Sequence, residues 1–351
     1  MRVTFFRVLR SKRVTAFQKP NIEDRLVFIN EQKLPAVISA AQGEALPELL
    51  TNASEELAAI QLRYGAILFR GFALGTAQDF HAVAAQCFGD LLRPYLGGIS
   101  PRGQIMSGVY ESTRYPSHLR IPQHNETSYL PDPPRALAFF CDVEPAHGGE
   151  TPLADSRLIY KRIPAPVLAR FEMHGVRYHR HLYGKRRNPV TRALSRIAEL
   201  HTSWMAAFDT SDRFEVERIC AQQGATVRWN WEEGALISNT LPAVRQHPET
   251  GEMLWFNQVS TFVSTPRGSG LARWLLYHVV YPLPHRRPFH ATHGNGDRIS
   301  LADLNRINAA IERATVQFRW NRGVLLLVDN FLVTHGRRPF RGDRRNLVAI
   351  H

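Results

Sequence analysis

The sequence predicts a mainly β fold with flanking helices, organised as a jelly-roll core and interrupted by a helical and irregular insertion. Three observations predict it. Short, strongly apolar runs near residues 64–72, 136–143, 324–329 and 344–350 have the length and flanking turns of buried strands. These runs dominate both ends of the core, and a less regular stretch rich in Arg, His and Trp separates them from about residue 176 to 243. Antiparallel strands that must bury one face and hide their edges commonly solve both problems as a double-sheet jelly roll.

The elements follow in chain order. Residues 46–62 carry apolar side chains at helical spacing, and the run 64–72 then ends in a glycine turn at Gly71. A second helix is expected over 76–87, with Gly89 as its stop. From 121 to 140 strand-like runs alternate with Pro131, Pro133 and Pro134, and 136–143 is the clearest strand there. Gly148-Gly149 forms a turn, and 155–170 reads as helical in part. His247-Pro248-Glu249-Thr250-Gly251 is a hairpin turn leading into a strand at 253–257. A helix over 300–315 and a turn at Trp320-Asn321-Arg322-Gly323 precede the most apolar run of the chain, 324–329. A single domain is expected over 1–351, with 1–44 as an N-terminal arm and first strands.

The composition bounds the class. With 44% hydrophobic and 21% charged residues the chain can bury a sizeable core. No stretch approaches the roughly 18 consecutive apolar residues that a membrane span needs, so no membrane partner is expected. Cys87, Cys141 and Cys220 are odd in number and far apart, which disfavours a disulfide framework and fits a reducing cytoplasm. The net charge of +13 attracts acidic partners, yet it is spread along the chain without a nucleic-acid module, so no nucleic-acid partner is expected. Residues 1–20 hold Arg2, Arg7, Arg10, Lys12, Arg13 and Lys19 and no acid, a composition shared by organellar transit peptides and by basic arms or a first strand at 3–6.

The chemistry-bearing pattern is His124-Asn125-Glu126. On a strand, residues two apart share a face, so an imidazole and a carboxylate there can aim at one metal. His335, just past the apolar run 324–329, is the candidate third ligand. Two histidines and one carboxylate on one face leave open positions, the arrangement of non-haem Fe(II) oxygenases. A second His-x-Glu, His247-Pro248-Glu249, is set aside because proline and the following Thr-Gly place it in an exposed turn.

The surroundings of the first tripeptide carry a resemblance. Gln123-His124-Asn125-Glu126-Thr127-Ser128-Tyr129 followed by Gly148-Gly149-Glu150-Thr151-Pro152-Leu153-Ala154-Asp155 resembles the taurine dioxygenase-like (TauD/TfdA) superfamily of Fe(II)- and 2-oxoglutarate-dependent oxygenases. It is closer to the branch of clavaminate synthase-like and SyrP-like amino-acid hydroxylases. Leu68-Phe69-Arg70-Gly71-Phe72, Trp255-Phe256-Asn257-Gln258, Asp329-Asn330 and His335-Gly336-Arg337 resemble the same family, in order from about residue 45 to the C-terminus.

The resemblance implies a double-stranded β-helix core, Fe(II) held by His124, Glu126 and His335, and 2-oxoglutarate and O₂ as co-substrates. It implies that Thr151 hydrogen-bonds 2-oxoglutarate and that an arginine about ten residues past the distal histidine pairs with its far carboxylate. Arg344 or Arg345 fits, with Arg344 preferred because it directly follows the Gly342-Asp343 turn. A planar guanidinium suits a carboxylate better than an ammonium does. Two departures matter. Glu126 stands where many members have aspartate, which agrees with the amino-acid-hydroxylase branch and argues against a halogenase. Val348 or Ala349 stands where taurine dioxygenases carry a sulfonate-binding arginine, which argues against a sulfonate substrate.

The expected reaction is hydroxylation of an amino acid or aminoacyl group, free or carrier-protein-bound, in natural-product biosynthesis, with Arg120 and Asn257 facing the substrate. The insertion at 176–243 is expected to cover the iron site as a lid. Its run of Arg177, Arg180, Lys185, Arg186 and Arg187 interleaved with Tyr178, His179, His181 and Tyr183 reads either as a solvated loop or as a dock for an acidic carrier protein or anionic substrate. A desaturase or cyclase on the same site, and a non-catalytic basic binding protein on this fold, are the competing readings.

Overall fold

The structure, a computed structural model, describes residues 21–89, 103–112, 115–186, 202–266 and 270–351. Residues 1–20 and Arg187 therefore lie outside the described residues. Two sheets, with strands numbered along the chain, carry the core. The larger has eight strands in the order β1 (Val27–Phe28), β2 (Ala36–Ser39), β3 (Ala66–Arg70), β17 (Leu325–Asp329), β7 (Ala136–Val143), β20 (Arg345–Ile350), β5 (Val109–Glu111) and β4 (Gln104–Met106). Only β2 and β3 pair in parallel; the other pairs are antiparallel. The smaller has four, β16 (Thr315–Phe318), β9 (Thr151–Asp155), β18 (Val333–Arg337) and β6 (Ile121–His124), all antiparallel.

The period-two alternation of the strands explains the layering. On β7, Ala138 and Phe140 pack with Ile67, Phe69, Leu325 and Leu327 against helices α1 (Leu46–Asn52), α2 (Ser54–Tyr64) and α3 (Ala77–Phe88). Leu137, Phe139 and Cys141 point the other way. They join Leu326, Val328 and Val348 in a second core with Leu153, Phe318 and Val333 of the smaller sheet and with Trp320, which follows β16. The chain is thus a layer of helices, a large sheet and a small sheet, mainly β with helices as expected. The helix expected over 46–62 is broken at Ala53 into α1 and α2. α3 starts at a reciprocal cap: Thr76 accepts from the Asp79 amide, and the Asp79 carboxylate accepts from the Thr76 amide.

The expectation of a helical and irregular insertion is corrected. The segment supplies β10 (Val176–Leu182), β11 (Thr226–Trp229) and β12 (Ala235–Leu241), and these form an antiparallel sheet with β15 (Phe289–His293) in the order β11-β12-β10-β15. Two helices, Trp204–Phe208 and Arg213–Gln222, accompany it. Hydropathy hides β10 because Arg180 and His181 are buried polar side chains inside it. The basic run divides: Tyr178 and Arg180 are buried in β10, with the Arg180 guanidinium 5.2 Å from the Tyr129 ring centre, whereas Arg177, Lys185 and Arg186 are exposed. The turn at 247–251 closes a hairpin of β13 (Val244–Gln246) and β14 (Met253–Trp255). A further pair, β8 (His147–Gly148) and β19 (Phe340–Arg341), lies beside the Gly148-Gly149 turn. No helix among the described residues is long and apolar enough to cross a membrane. All three cysteines are buried and unpaired.

Candidate metal and co-substrate site

Strands β6 and β18 bring the two histidines together. They pair in antiparallel register with His335 opposite His124, and a bulge follows between His335 and Arg337. The imidazole centres lie 4.6 Å apart. Glu126 is not on a strand. β6 ends at His124, and Glu126 opens a turn in which Thr127 takes a left-handed φ of 46°. The two-residue strand argument therefore does not describe the local geometry: a turn, not a continued strand, brings the Glu126 carboxylate towards the two histidines.

That turn is held from behind by Asn330, which is fully buried. Its Oδ1 accepts the Glu126 amide at 2.6 Å, and its Nδ2 donates to the carbonyls of Glu126 and Pro134. The Asn125 amide donates to the Asn330 carbonyl at 2.7 Å, and Gln258 Nε2 donates to the Asn125 carbonyl at 2.8 Å. Asp329, the neighbour of Asn330, accepts from the amides of Phe331 and Leu332 and contacts His247 Nε2 at 3.2 Å. The exposed-turn reason for setting aside His247 is therefore corrected. His247 is buried and ties the hairpin to the 329–330 turn, while Glu249 pairs with Arg135 at 3.0 Å.

Three donor atoms converge. Glu126 Oε2 lies 3.7 Å from His124 Nε2 and 3.5 Å from His335 Nε2, and one ligand atom from each of the three residues falls within 4.8 Å of the others. These separations exceed an ordinary N–H···O bond and suit ligation of one divalent ion by two imidazoles and a carboxylate. The tautomer agrees. His124 Nδ1 is 2.8 Å from the Pro122 carbonyl oxygen, an acceptor, so Nδ1 carries the proton and Nε2 offers its lone pair. Among the described residues this is the one such cluster of His, Cys, Asp and Glu.

The expected co-substrate residues lie around Gly148-Gly149. Both glycines have positive φ, 71° and 74°. A Cβ on Gly149 would lie 2.8 Å from Pro145 Cγ and 3.0 Å from Arg344 Cδ, so glycine there lets the arginine pass. Arg344 donates through Nε to the Gly149 carbonyl at 3.2 Å and has no acidic partner at salt-bridge distance among the described residues. Burial, then the nearby Arg337, pulls its guanidinium down to about 10. Glu150 offsets this only in part, and a desolvated cation with no carboxylate at salt-bridge distance is the environment an anionic ligand relieves. Arg345 is different: it is half exposed and pairs with Asp142.

Thr151 is buried on β9, and its Oγ1 accepts the Trp320 indole N–H at 2.9 Å. That bond leaves the Thr151 proton to be donated elsewhere. Sequence reading took Trp320 only for a turn residue, because nothing local reveals a partner 169 positions away. Arg337 was also missed as an anchor. It is buried between β18 and the loop 115–119, where it donates to the carbonyls of Tyr115, Pro116 and Leu119 at 2.7–2.9 Å.

The two expected substrate residues lie apart. Arg120 lines a cleft of about 500 Å³ between β6 and the helix Leu301–Arg313, bordered also by Arg313, Arg337 and Arg338. Asn257 is buried with both ends of its amide engaged: Nδ2 donates to the Ala243 carbonyl and Oδ1 accepts the Val259 amide. That bonding pairs both ends of the Asn257 amide within the chain.

Residues 31–351 match the model of the taurine catabolism dioxygenase TauD, TfdA family. The dapdiamide synthesis protein DdaC of Enterobacter agglomerans is 32% identical over 286 residues, covering 82% of this chain and 82% of that protein. A clavaminate synthase-like protein of Arabidopsis thaliana is 29% identical over 290 residues, covering 82% of this chain and 81% of its own length. The crystal structure of the PvcB protein from Pseudomonas aeruginosa superposes with a TM-score of 0.50 at 16% identity, over 90% of this chain and 84% of that one, a likeness of fold.

Proposed function

This chain belongs to the taurine catabolism dioxygenase TauD, TfdA family and is an iron- and 2-oxoglutarate-dependent dioxygenase; within that class we propose that it hydroxylates an amino acid or aminoacyl group, free or carrier-protein-bound, in natural-product biosynthesis. The observation that carries the site assignment is the convergence of His124 Nε2, Glu126 Oε2 and His335 Nε2, with the buried Arg344, which has no salt bridge among the described residues, beyond them. The substrate class is supported by the relative of 32% identity, whose name places it in dapdiamide synthesis, and by Glu126 and Val348, which fit neither a halogenase nor a sulfonate site. The two facing sheets are read as the jelly-roll core, and the sheet built from 176–243 as the lid. Three buried thiols fit a reducing cytoplasm.

In this reading each residue has one task. Fe(II), when bound with 2-oxoglutarate, supplies O₂ activation coupled to decarboxylation of the co-substrate to succinate. The Pro122 carbonyl fixes the His124 tautomer, and the Asn330 clamp fixes the Glu126 carboxylate, so the donors meet the ion without rearranging. Arg344 holds the far carboxylate of 2-oxoglutarate, and the Thr151 hydroxyl donates to the same ligand. Phe139, Leu153 and Val348 line the inter-sheet core and exclude water. The test is incubation with amino acids, free and loaded on carrier proteins, with succinate and product mass as readouts. One oxygen gained per succinate is the expected result. Loss of two hydrogens would replace hydroxylation by desaturation or cyclisation, and no coupled product from any amino-acid substrate would overturn the substrate class.

A further inference from the structure

We propose that Asn346 is a co-substrate-positioning residue, whose amide donates to a carboxylate oxygen of 2-oxoglutarate lying between the metal ligands and Arg344. The inference rests on the co-substrate reading of Arg344 above. On β20, Leu347 and Ala349 pack towards the helices, whereas Val348 and Ile350 pack into the inter-sheet core. The two-residue period places Asn346 on the inter-sheet face with Val348. Asn346 is 1% exposed, and neither its Oδ1 nor its Nδ2 has a hydrogen-bond partner. Among the described residues no other side-chain amide has both ends orphaned. Burying an amide without partners is costly, and native chains rarely do so unless a ligand or water completes the bonding.

Register says which ligand. Asn346 stands opposite Cys141 on β7, Arg345 opposite Val143, and Val348 opposite Phe139. The Phe139 ring centre is 5.1 Å from that of His335, so the level of Val348 is the level of the metal ligands. Arg344 lies two residues to the other side, within electrostatic range of Cys141. At a rise of about 3.3 Å per residue, Asn346 sits about 7 Å along the strand from Val348, and a bulge between Arg345 and Asn346 separates it from Arg344. A five-carbon dicarboxylate with one end at the metal and the other on Arg344 passes over Asn346. 2-Oxoglutarate presents only acceptors, which Nδ2 meets; Oδ1 then accepts from Arg344 or from a water. Neither residue composition nor spacing reveals this role, because an asparagine in a strand is unremarkable until its amide is found unpaired.

The test is anaerobic calorimetric titration of 2-oxoglutarate into the Fe(II)-loaded protein, with thermal unfolding of the same samples. Asn346→Leu keeps the volume and removes the orphaned atoms. It should bind 2-oxoglutarate about 10- to 100-fold more weakly. Its unfolding temperature without 2-oxoglutarate should equal or exceed wild type, which a merely structural amide would not give. Asn346→Asp guards against misfolding of the leucine variant, and a carboxylate beside the dicarboxylate should abolish measurable binding. Wild-type affinity in both variants would overturn this inference alone. Failure of the wild-type protein to bind 2-oxoglutarate would overturn the co-substrate reading and this one together.

Discussion

Asn330 grips the backbone of Glu126 from both sides, accepting its amide at 2.6 Å and donating to its carbonyl at 3.1 Å. The residue that aims the carboxylate thus follows β17 and is 204 positions away in sequence. Asn330→Ala would leave several buried backbone groups unpaired, costing about 3 kcal/mol of stability. It should also weaken Fe(II) binding, because the turn carrying Glu126 would no longer be fixed. Chemical denaturation and metal titration of one preparation check both effects. Unchanged metal affinity would mean that the clamp does not position the ligand.

The two adjacent arginines should separate cleanly. Arg344 has one backbone acceptor and no salt bridge among the described residues, whereas Arg345 pairs with Asp142 at the surface. Arg344→Lys should weaken 2-oxoglutarate by about tenfold or more, since an ammonium cannot make the bidentate contact. Arg345→Lys should bind like wild type. Affinities measured on the two variants decide the assignment, and the reverse order would move the co-substrate to Arg345.

Gly149→Ala tests the turn against which Arg344 packs. Alanine at a φ of 74° is strained, and its Cβ would press on Pro145 and on Arg344 Cδ. A stability loss of about 1–2 kcal/mol is expected from the backbone conformation. A weaker affinity for 2-oxoglutarate should accompany it, from displacement of the arginine. Loss of stability with intact affinity would show that Arg344 tolerates the shift.

Acid sensitivity has an identifiable contributor outside the site. Burial, then Arg287, His179 and Arg298, lowers His290 to about 4. Its folded-state value lies below the unfolded value of about 6.5, so the unfolded chain binds the proton more readily in that interval. The group costs no stability above pH 6.5 or so, and its cost grows as pH falls towards 4. His290→Gln should reduce the slope of unfolding midpoint against pH in this window and leave the neutral-pH value nearly unchanged. An identical slope would assign the acid sensitivity to other groups.

The legible and illegible parts of the sequence differ for physical reasons. β7 and β17 could be read because both faces of a central strand in a covered sheet are apolar, which leaves an unbroken run. His124, Glu126 and His335 were found by motif and resemblance. β10 escaped because Arg180 and His181 are buried within it, and hydropathy reads them as surface. The roles of Asn330, Trp320 and Asn346 escaped because each depends on a partner brought close only by the fold. His247 was misjudged as exposed because its turn composition does not reveal the Asp329 carboxylate waiting beneath it.

The most direct test of the central claim is visible absorption of the anaerobic protein with Fe(II) and 2-oxoglutarate, beside His124→Ala and Arg344→Ala. A charge-transfer band in the wild type that is absent in His124→Ala and lost or greatly weakened in Arg344→Ala is the predicted result. No band in the wild type at saturating iron and 2-oxoglutarate, or a full band in His124→Ala, would contradict the assignment of this site.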